Sequence, residues 1–132
     1  MLKSEIQAII NDVYPKIEKY YGFSKYFNCT PFIELHHNIY ERASGEEYPV
    51  EIIDELECSP DAEFERIQNT IVIYYPKMVS KQLIIETLIH EYQHYLQSPT
   101  WFTRYYDMGY EYNNHPYELA ATKAEDNWKT FA

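Results

Sequence analysis

Hydrophobic residues recur at helical spacing over the first twenty residues of the chain. A period of three to four residues predicts an amphipathic helix that packs one apolar face against a core. Ser4 and Gln7 form a capping-box pattern at its start, Pro15 predicts a kink or an early stop, and Gly22 is a natural terminator. The apolar positions are Ile6, Ile9, Ile10, Val13 and Ile17.

The pattern changes to short runs of β-branched and aromatic residues between positions 31 and 75. Three such runs, separated by turn-forming residues, are PFIELHHNIY (31–40), YPVEIIDEL (48–56) and NTIVIYY (69–75). Runs of this length and composition are typical of strands. We therefore predict a small, mostly antiparallel sheet in the middle of the chain.

Helical spacing returns after Pro76, with Ser80 in a position to cap the new helix. The helix is expected to stop at Ser98-Pro99, because the residue before a proline avoids the helical region. Residues 100–114, TWFTRYYDMGYEYNN, are interpreted as an aromatic loop with Gly109 as its flexible point. His115-Pro116 then opens a last helix that runs almost to the end of the chain. These elements predict one α+β domain over residues 1–132.

Composition and charge narrow the function classes. The net charge of −10 disfavours binding to phosphate backbones, so we expect no nucleic-acid partner. No apolar run has the length of a membrane span, and the first residues lack the features of a signal peptide, so a cytoplasmic protein is expected. The acidic stretch 41–65 predicts a solvated face, with a partner-binding surface as the alternative. Frequent Ile, Tyr, Asn, Lys and Glu fit a phage or low-GC microbial origin.

The segment LIHEYQHYLQ (88–97) carries the candidate chemistry. His90 and His94 are four residues apart, so on a helix they lie one above the other and can both bind one zinc ion. Glu91 is rotated off that axis, where its carboxylate can act as general base without occupying the coordination sphere. This is the physical content of the H-E-x-x-H pattern. The alternative is a pair of core histidines hydrogen-bonded to tyrosines and carboxylates.

Two histidines and a water leave a tetrahedral zinc ion one protein ligand short. Glu118 is the strongest candidate, because it lies in the first turn of a second helix whose alanines allow close packing. The same residue also fits as the N3 glutamate of a helix capped by His115. His115 is the second candidate ligand, and Asp107 and Glu111 lie in a segment that the sequence does not place.

HEYQH, followed by a helix opening with NNHPYELAATKAED, resembles the gluzincin zinc metallopeptidases. The similarity is greatest to the small members: minigluzincins and the SprT-like and IrrE-like proteases. It covers residues 80–130 and implies a minimal zincin-like domain in which His90, His94 and Glu118 bind Zn²⁺. Many gluzincins have an aspartate four residues after the ligand glutamate, but this chain has Thr122. The resemblance therefore requires Thr122, Glu125 or another group to orient the first motif histidine.

These features predict a zinc metalloendopeptidase that acts on an extended peptide or protein bound along a sheet edge. Glu91 is the expected general base. The developing oxyanion needs a further hydrogen-bond donor, for which Tyr112 and His115 rank ahead of Tyr110 and Tyr117. The alternative from another class is a non-catalytic protein with a structural zinc or an acidic partner-binding face. An open coordination position and the presence of Glu91 favour the enzyme.

Overall fold

The computed structural model describes residues 1–38, 42 and 60–132. These residues form four α-helices and three strands, which confirms the α+β class. The predicted strand at 48–56 lies outside the described residues. The helices are α1 (Lys3–Tyr21), α2 (Lys81–Leu96), α3 (Pro99–Asp107) and α4 (Pro116–Ala124). The strands are β1 (Phe32–His36), β2 (Ala62–Glu65) and β3 (Thr70–Tyr74), and 3-10 turns form at Tyr75–Lys77, Tyr112–Asn114 and Glu125–Thr130.

Helix α1 differs from its prediction at both the cap and the proline. It begins one residue before Ser4, with Leu2 as N-cap and no side-chain cap, so the capping-box prediction is wrong. The helix continues through Pro15 to Tyr21, so this proline does not end it. Gly22 follows with a φ of 76°, a conformation that glycine adopts without steric cost, and ends the helix as predicted.

The three strands form a mixed sheet with β3 in the centre. Strand β1 pairs with β3 in parallel, with Phe32 opposite Thr70. Strand β2 pairs with β3 antiparallel through a tight turn at residues 66–69, which places Glu65 opposite Thr70. Among the described strands the sheet is thus half parallel, not mostly antiparallel, and β2 forms one of its edges.

Helix α2 lies at the centre of the fold and contacts α1, α4, the last 3-10 turn and strands β2 and β3. Its apolar residues join those of α1 and β3 in one core, and each fully buried Ile or Leu contributes about 1.5–3 kcal/mol. The α2 residues of this core are Ile84, Ile85, Leu88, Ile89, Tyr92 and Tyr95. His90, Glu91 and His94 lie outside this apolar core and line a cavity.

The segment after α2 is helical, which corrects the predicted aromatic loop. Ser98 accepts a hydrogen bond from the Trp101 N–H, and Pro99 occupies the first turn of α3. Helix α2 ends at Leu96 as predicted, but Ser98-Pro99 also starts the next helix. Gly109, with a φ of 101°, lies just beyond α3 and lets the chain turn back toward α2.

The C-terminal helix opens where the sequence predicts, with His115 as its N-cap and Pro116 in its first turn. It is shorter than predicted, because the α-helix ends at Ala124 and a 3-10 turn continues to Thr130. Within the residues that the structure describes, none of the helices combines the length and apolar character needed to cross a membrane.

Candidate metal centre

Two imidazole rings project from the same side of α2. Ser80 caps this helix by accepting from the Leu83 N–H, and the motif begins almost three turns further on, where neighbouring residues of the helix are buried in the core. The Nε2 atoms of His90 and His94 lie 3.3 Å apart. Both rings are largely shielded from solvent, with side-chain exposures of 13% and 6%. Helix geometry therefore pairs them as the sequence predicts.

Glu118 completes a three-residue cluster from helix α4. Its two carboxylate oxygens lie 3.1 Å from His90 Nε2 and 2.9 Å from His94 Nε2. The fully buried Ala121, one turn later, has no side chain long enough to hold the helices apart. Within the described ranges, His90, His94 and Glu118 are the group of residues whose ligand atoms could together hold a metal ion.

The outer nitrogen of each ring is held by a specific acceptor. His90 Nδ1–H donates to Glu125 Oε2 at 2.8 Å, and His94 Nδ1–H donates to Gln97 Oε1 at 2.7 Å. Gln97 is itself fixed, because its amide donates to the Tyr117 carbonyl oxygen at 3.0 Å. With the Nδ1 protons held in this way, both Nε2 atoms face Glu118 and each can offer a lone pair to a metal ion when its ring is neutral. This is the tautomer in which histidines bind metals.

The donor set and its spacing fit zinc. Neutral imidazole nitrogens and a carboxylate are ordinary zinc ligands, with bond lengths of about 2.0–2.1 Å. Two ligands at tetrahedral positions on such an ion lie about 3.3 Å apart. The separations of 2.9–3.3 Å within the cluster are close to that value. Three converging lone pairs repel one another, so the cluster requires a positive charge at its centre.

The electrostatics of the cluster agree with that requirement. Burial lowers the pKa of His90, but hydrogen bonds with Glu118 and Glu125 outweigh it and raise the pKa to about 10. Burial raises the pKa of Glu118, but hydrogen bonds with the two histidines dominate and lower it to about 2. A proton on His90 thus supplies the central positive charge that a metal ion would otherwise provide.

Glu91 lies beside the cluster and does not belong to it. The residue is 7% exposed and lines two cavities, both of which are also lined by His90. Burial raises the pKa of Glu91, and the carboxylates of Glu118 and Glu63 add to the increase, although His94 and His90 oppose it. A buried carboxylate with a raised pKa accepts a proton more readily than a solvated one.

Tyr112 is brought to the site, whereas the other candidate tyrosines pack elsewhere. It lines the same two cavities as Glu91 while 61% of the residue stays exposed. Burial of its hydroxyl group and the nearby Glu118 and Glu91 raise the pKa of Tyr112 to about 12, which keeps it a proton donor. The rings of Tyr110 and Tyr117 both pack against Tyr105.

His115 is not brought to the cluster, which contradicts its placement as a ligand or a catalytic residue. Its Nδ1 accepts from the Tyr117 N–H at 3.1 Å, and its Nε2–H donates to the Phe102 carbonyl oxygen at 2.9 Å. The residue is fully buried, and both nitrogens are used by the fold. The other candidate ligands, Asp107 and Glu111, are exposed and lie outside the ligand group.

A cleft crosses the cluster between strand β2 and helix α2. On one side, a cavity of about 270 Å³ contains the polar groups of Asp61, Thr87 and Glu125. On the other, a cavity of about 360 Å³ is lined by Phe64, Phe102 and Arg66. Residues of strand β2 line both cavities, opposite His90 and Glu91 of α2.

Sequence reasoning missed two residues of this environment, Gln97 and Arg66. The contact of Gln97 with His94 could have been predicted, because residues three apart on a helix are neighbours. The position of Arg66 could not, because it depends on how the β2–β3 hairpin packs over α2. Glu125, one of the residues named as able to orient the His90 ring, does contact that ring. Thr122 lines the neighbouring cavity.

No family model matches this chain, and searches of curated proteins and of solved structures return no match either.

Proposed function

We propose that this protein is a zinc-dependent metallopeptidase that hydrolyses peptide bonds. The observation that carries the proposal is the convergence of His90 Nε2, His94 Nε2 and the Glu118 carboxylate beside the buried Glu91. These three residues would hold a zinc ion, which would supply Lewis acidity toward a carbonyl group and a water molecule.

Glu91 serves as the general base of the reaction. Its carboxylate takes a proton from the attacking water as the water oxygen forms a bond to the scissile carbonyl carbon. When the carbon–nitrogen bond breaks, Glu91 returns that proton to the leaving amine. The raised pKa of Glu91 suits this double role, because the group must hold the proton between the two steps.

Tyr112 is placed to donate a hydrogen bond to the developing oxyanion. Its hydroxyl group keeps its proton at neutral pH and lies in the cleft with Glu91 and Glu118. Such a donor contributes most when it is fixed before the reaction, and the 3-10 turn fixes the backbone that carries Tyr112. Among the described strands β2 is an edge strand, and its outer backbone side would offer hydrogen bonds to an extended substrate, in the manner of strand addition.

Glu91 also favours this proposal over a structural zinc site. A structural zinc ion is normally closed by four protein ligands, whereas this cluster offers three. A structural site would gain nothing from a buried, unliganded carboxylate next to it, since burying a charge is costly. Three ligands with one adjacent carboxylate therefore support a hydrolytic role over a structural one.

The test combines metal content with one isosteric substitution. We expect the purified protein, reconstituted and dialysed, to hold about one zinc ion per chain. Glu91→Gln should keep the ion and lose cleavage of an unbiased peptide library, and Glu86→Gln on the same helix serves as the matched control. Failure of the wild-type protein to bind zinc overturns the proposal. Full activity in Glu91→Gln overturns the catalytic part alone.

A further inference from the structure

Arg66 places a positive charge in the wall of the cleft. It is the first residue of the turn between β2 and β3, and it lines the same cavity as His90, Glu91 and Glu118. The chain has only 11 Lys and Arg residues against 21 Asp and Glu residues, and Arg66 lies next to several of these carboxylates. The expected use of such a side chain is an ion pair with one of those carboxylates.

That ion pair is not formed. Arg66 makes no salt bridge with a carboxylate in the described parts of the chain, where Glu118 pairs with the two histidines instead. The Nε and Nη2 atoms of Arg66 are buried and find no hydrogen-bond partner among the described residues. Buried donors of a charged group are normally satisfied, because an unpaired donor loses its hydrogen bonds to water and gains none in return.

Two aromatic rings hold the Arg66 guanidinium group in position while these donors stay unpaired. Its central carbon lies 4.0 Å from the centre of the Phe102 ring and 5.8 Å from that of Phe64. A cation–π contact uses the face of the planar group and leaves the N–H donors at its edge available. Arg66 is therefore held in place without its hydrogen-bonding capacity being used.

We propose that Arg66 binds a carboxylate group of the peptide substrate. The planar fork of an arginine matches a carboxylate with two parallel hydrogen bonds, and a partly desolvated site strengthens them. The inference rests on the proposed peptidase function and specifies its substrates as peptides with a carboxylate a short distance from the scissile bond. Phe64 and Phe102, which line the same cavity, supply apolar walls around that group.

The carboxylate comes from a side chain or from the C-terminus, and strand direction decides on which side of the scissile bond it lies. Arg66 follows the C-terminal end of β2. A peptide added antiparallel to β2 brings its N-terminal side to Arg66, so the ligand is an Asp or Glu side chain before the scissile bond. A peptide added parallel brings its C-terminal side there, so the ligand is the terminal α-carboxylate or an Asp or Glu side chain after the scissile bond.

The experiment compares matched peptides on the zinc-loaded protein. One pair differs by Glu or Gln at each position in turn, and the other by a free or amidated C-terminus. We expect kcat/KM to be about 10-fold or more higher for the carboxylate form of one pair, mainly through KM. Equal rates for both forms in both pairs overturn the inference, and this comparison needs no variant.

Variants then assign the preference to Arg66. Arg66→Met should abolish the carboxylate preference, and Arg66→Lys should retain part of it. Arg104→Met is the control, because Arg104 also lies over an aromatic ring, that of Trp101, but does not line this cavity. Thermal melting and zinc content show whether each variant remains folded and loaded. A carboxylate preference that survives in a folded Arg66→Met protein overturns the inference.

A binding measurement separates this inference from the proposed function. Calorimetry with the Glu91→Gln protein and uncleaved peptides reports carboxylate recognition without catalysis. Binding that favours the carboxylate form and is lost in Glu91→Gln/Arg66→Met supports the role of Arg66, even if the wild-type protein cleaves nothing. Cleavage without any preference supports the peptidase and overturns the role of Arg66.

Discussion

His90 Nδ1 lies 2.8 Å from Glu125 Oε2, so a carboxylate seven residues after Glu118 orients the first motif histidine. In the gluzincins that the motif resembles, an aspartate four residues after the ligand glutamate often has this role. Here the α-helix ends at Ala124 and tightens into a 3-10 turn, which brings Glu125 to the ring from a different position. The orienting contact is thus present although the expected residue is Thr122.

Glu125→Gln is predicted to weaken zinc binding by about 10–100-fold, because the carboxylate both fixes the His90 tautomer and raises its basicity. Competition with a chelator of known affinity measures the loss. Asp126→Asn, one residue further on and exposed, should leave the affinity unchanged. Equal affinities for Glu125→Gln and the wild-type protein would show that the contact does not tune the metal.

Tyr112→Phe is predicted to lower kcat by about 10²–10³-fold while KM and zinc content stay close to wild-type values, because the lost hydrogen bond acts in the transition state. Steady-state kinetics on one good library substrate gives both constants. The exposed Tyr110, which packs on Tyr105 instead, provides the control variant Tyr110→Phe. An effect on KM alone would assign Tyr112 to substrate binding.

His115→Asn is predicted to lower the free energy of unfolding by about 1–3 kcal/mol without changing zinc stoichiometry. Asparagine can still cap α4, but it loses the hydrogen bond to the Phe102 carbonyl oxygen and the ring contact with Phe102. Urea titration and metal analysis at 25 °C measure the two quantities. Loss of zinc without loss of stability would return His115 to the list of ligands.

Tyr14 links stability to alkaline pH. Burial and the nearby Glu18 raise the pKa of Tyr14 above its usual value of 10.0. The folded state therefore holds this proton more tightly than the unfolded chain does. The resulting stabilisation is fully present below pH 10 and is lost as the pH rises through and beyond that value, by about 1.4 kcal/mol per pH unit.

Tyr14→Phe is predicted to remove the contribution of Tyr14 to the fall in the free energy of unfolding above pH 10. At neutral pH the substitution should lower that free energy by about 1 kcal/mol, because the hydrogen bond from Tyr14 to the Pro31 carbonyl oxygen is lost. Urea unfolding at several pH values measures both effects. The range runs from about pH 8 to about pH 11, which spans the ordinary tyrosine pKa of about 10. Tyr20→Phe is the control, since Tyr20 is 59% exposed. An unchanged slope in Tyr14→Phe would show that Tyr14 is not responsible.

The parts of the site that local geometry dictates could be predicted from the sequence. A four-residue spacing on a helix places His90 and His94 together whatever the rest of the fold does. His115-Pro116 marks a helix start, and that start places Glu118 in a first turn. Its distance to the histidines depends on how α4 packs against α2, which the sequence indicates only through its alanines and the family resemblance.

Non-local packing accounts for what the sequence did not predict. Ser98-Pro99 ends one helix and caps the next, and the sequence pattern indicates only the end, so it predicts a loop at Trp101 and Phe102 where the structure has a helix. The parallel pairing of β1 with β3 joins segments more than thirty residues apart, and no local pattern specifies it. Arg66 enters the cleft only because the hairpin folds over α2.

Phe102 has a consequence for how this protein can change over evolution. Its ring lies 4.0 Å from the Arg66 guanidinium carbon, 5.4 Å from the His94 ring centre and 4.5 Å from that of His115. A residue of the cleft wall, a candidate metal ligand and a helix cap thus share one neighbour. Residues with a shared contact show non-additive mutational effects. New substrate preferences are therefore expected to arise through paired substitutions, with Phe102 restricting which pairs are tolerated.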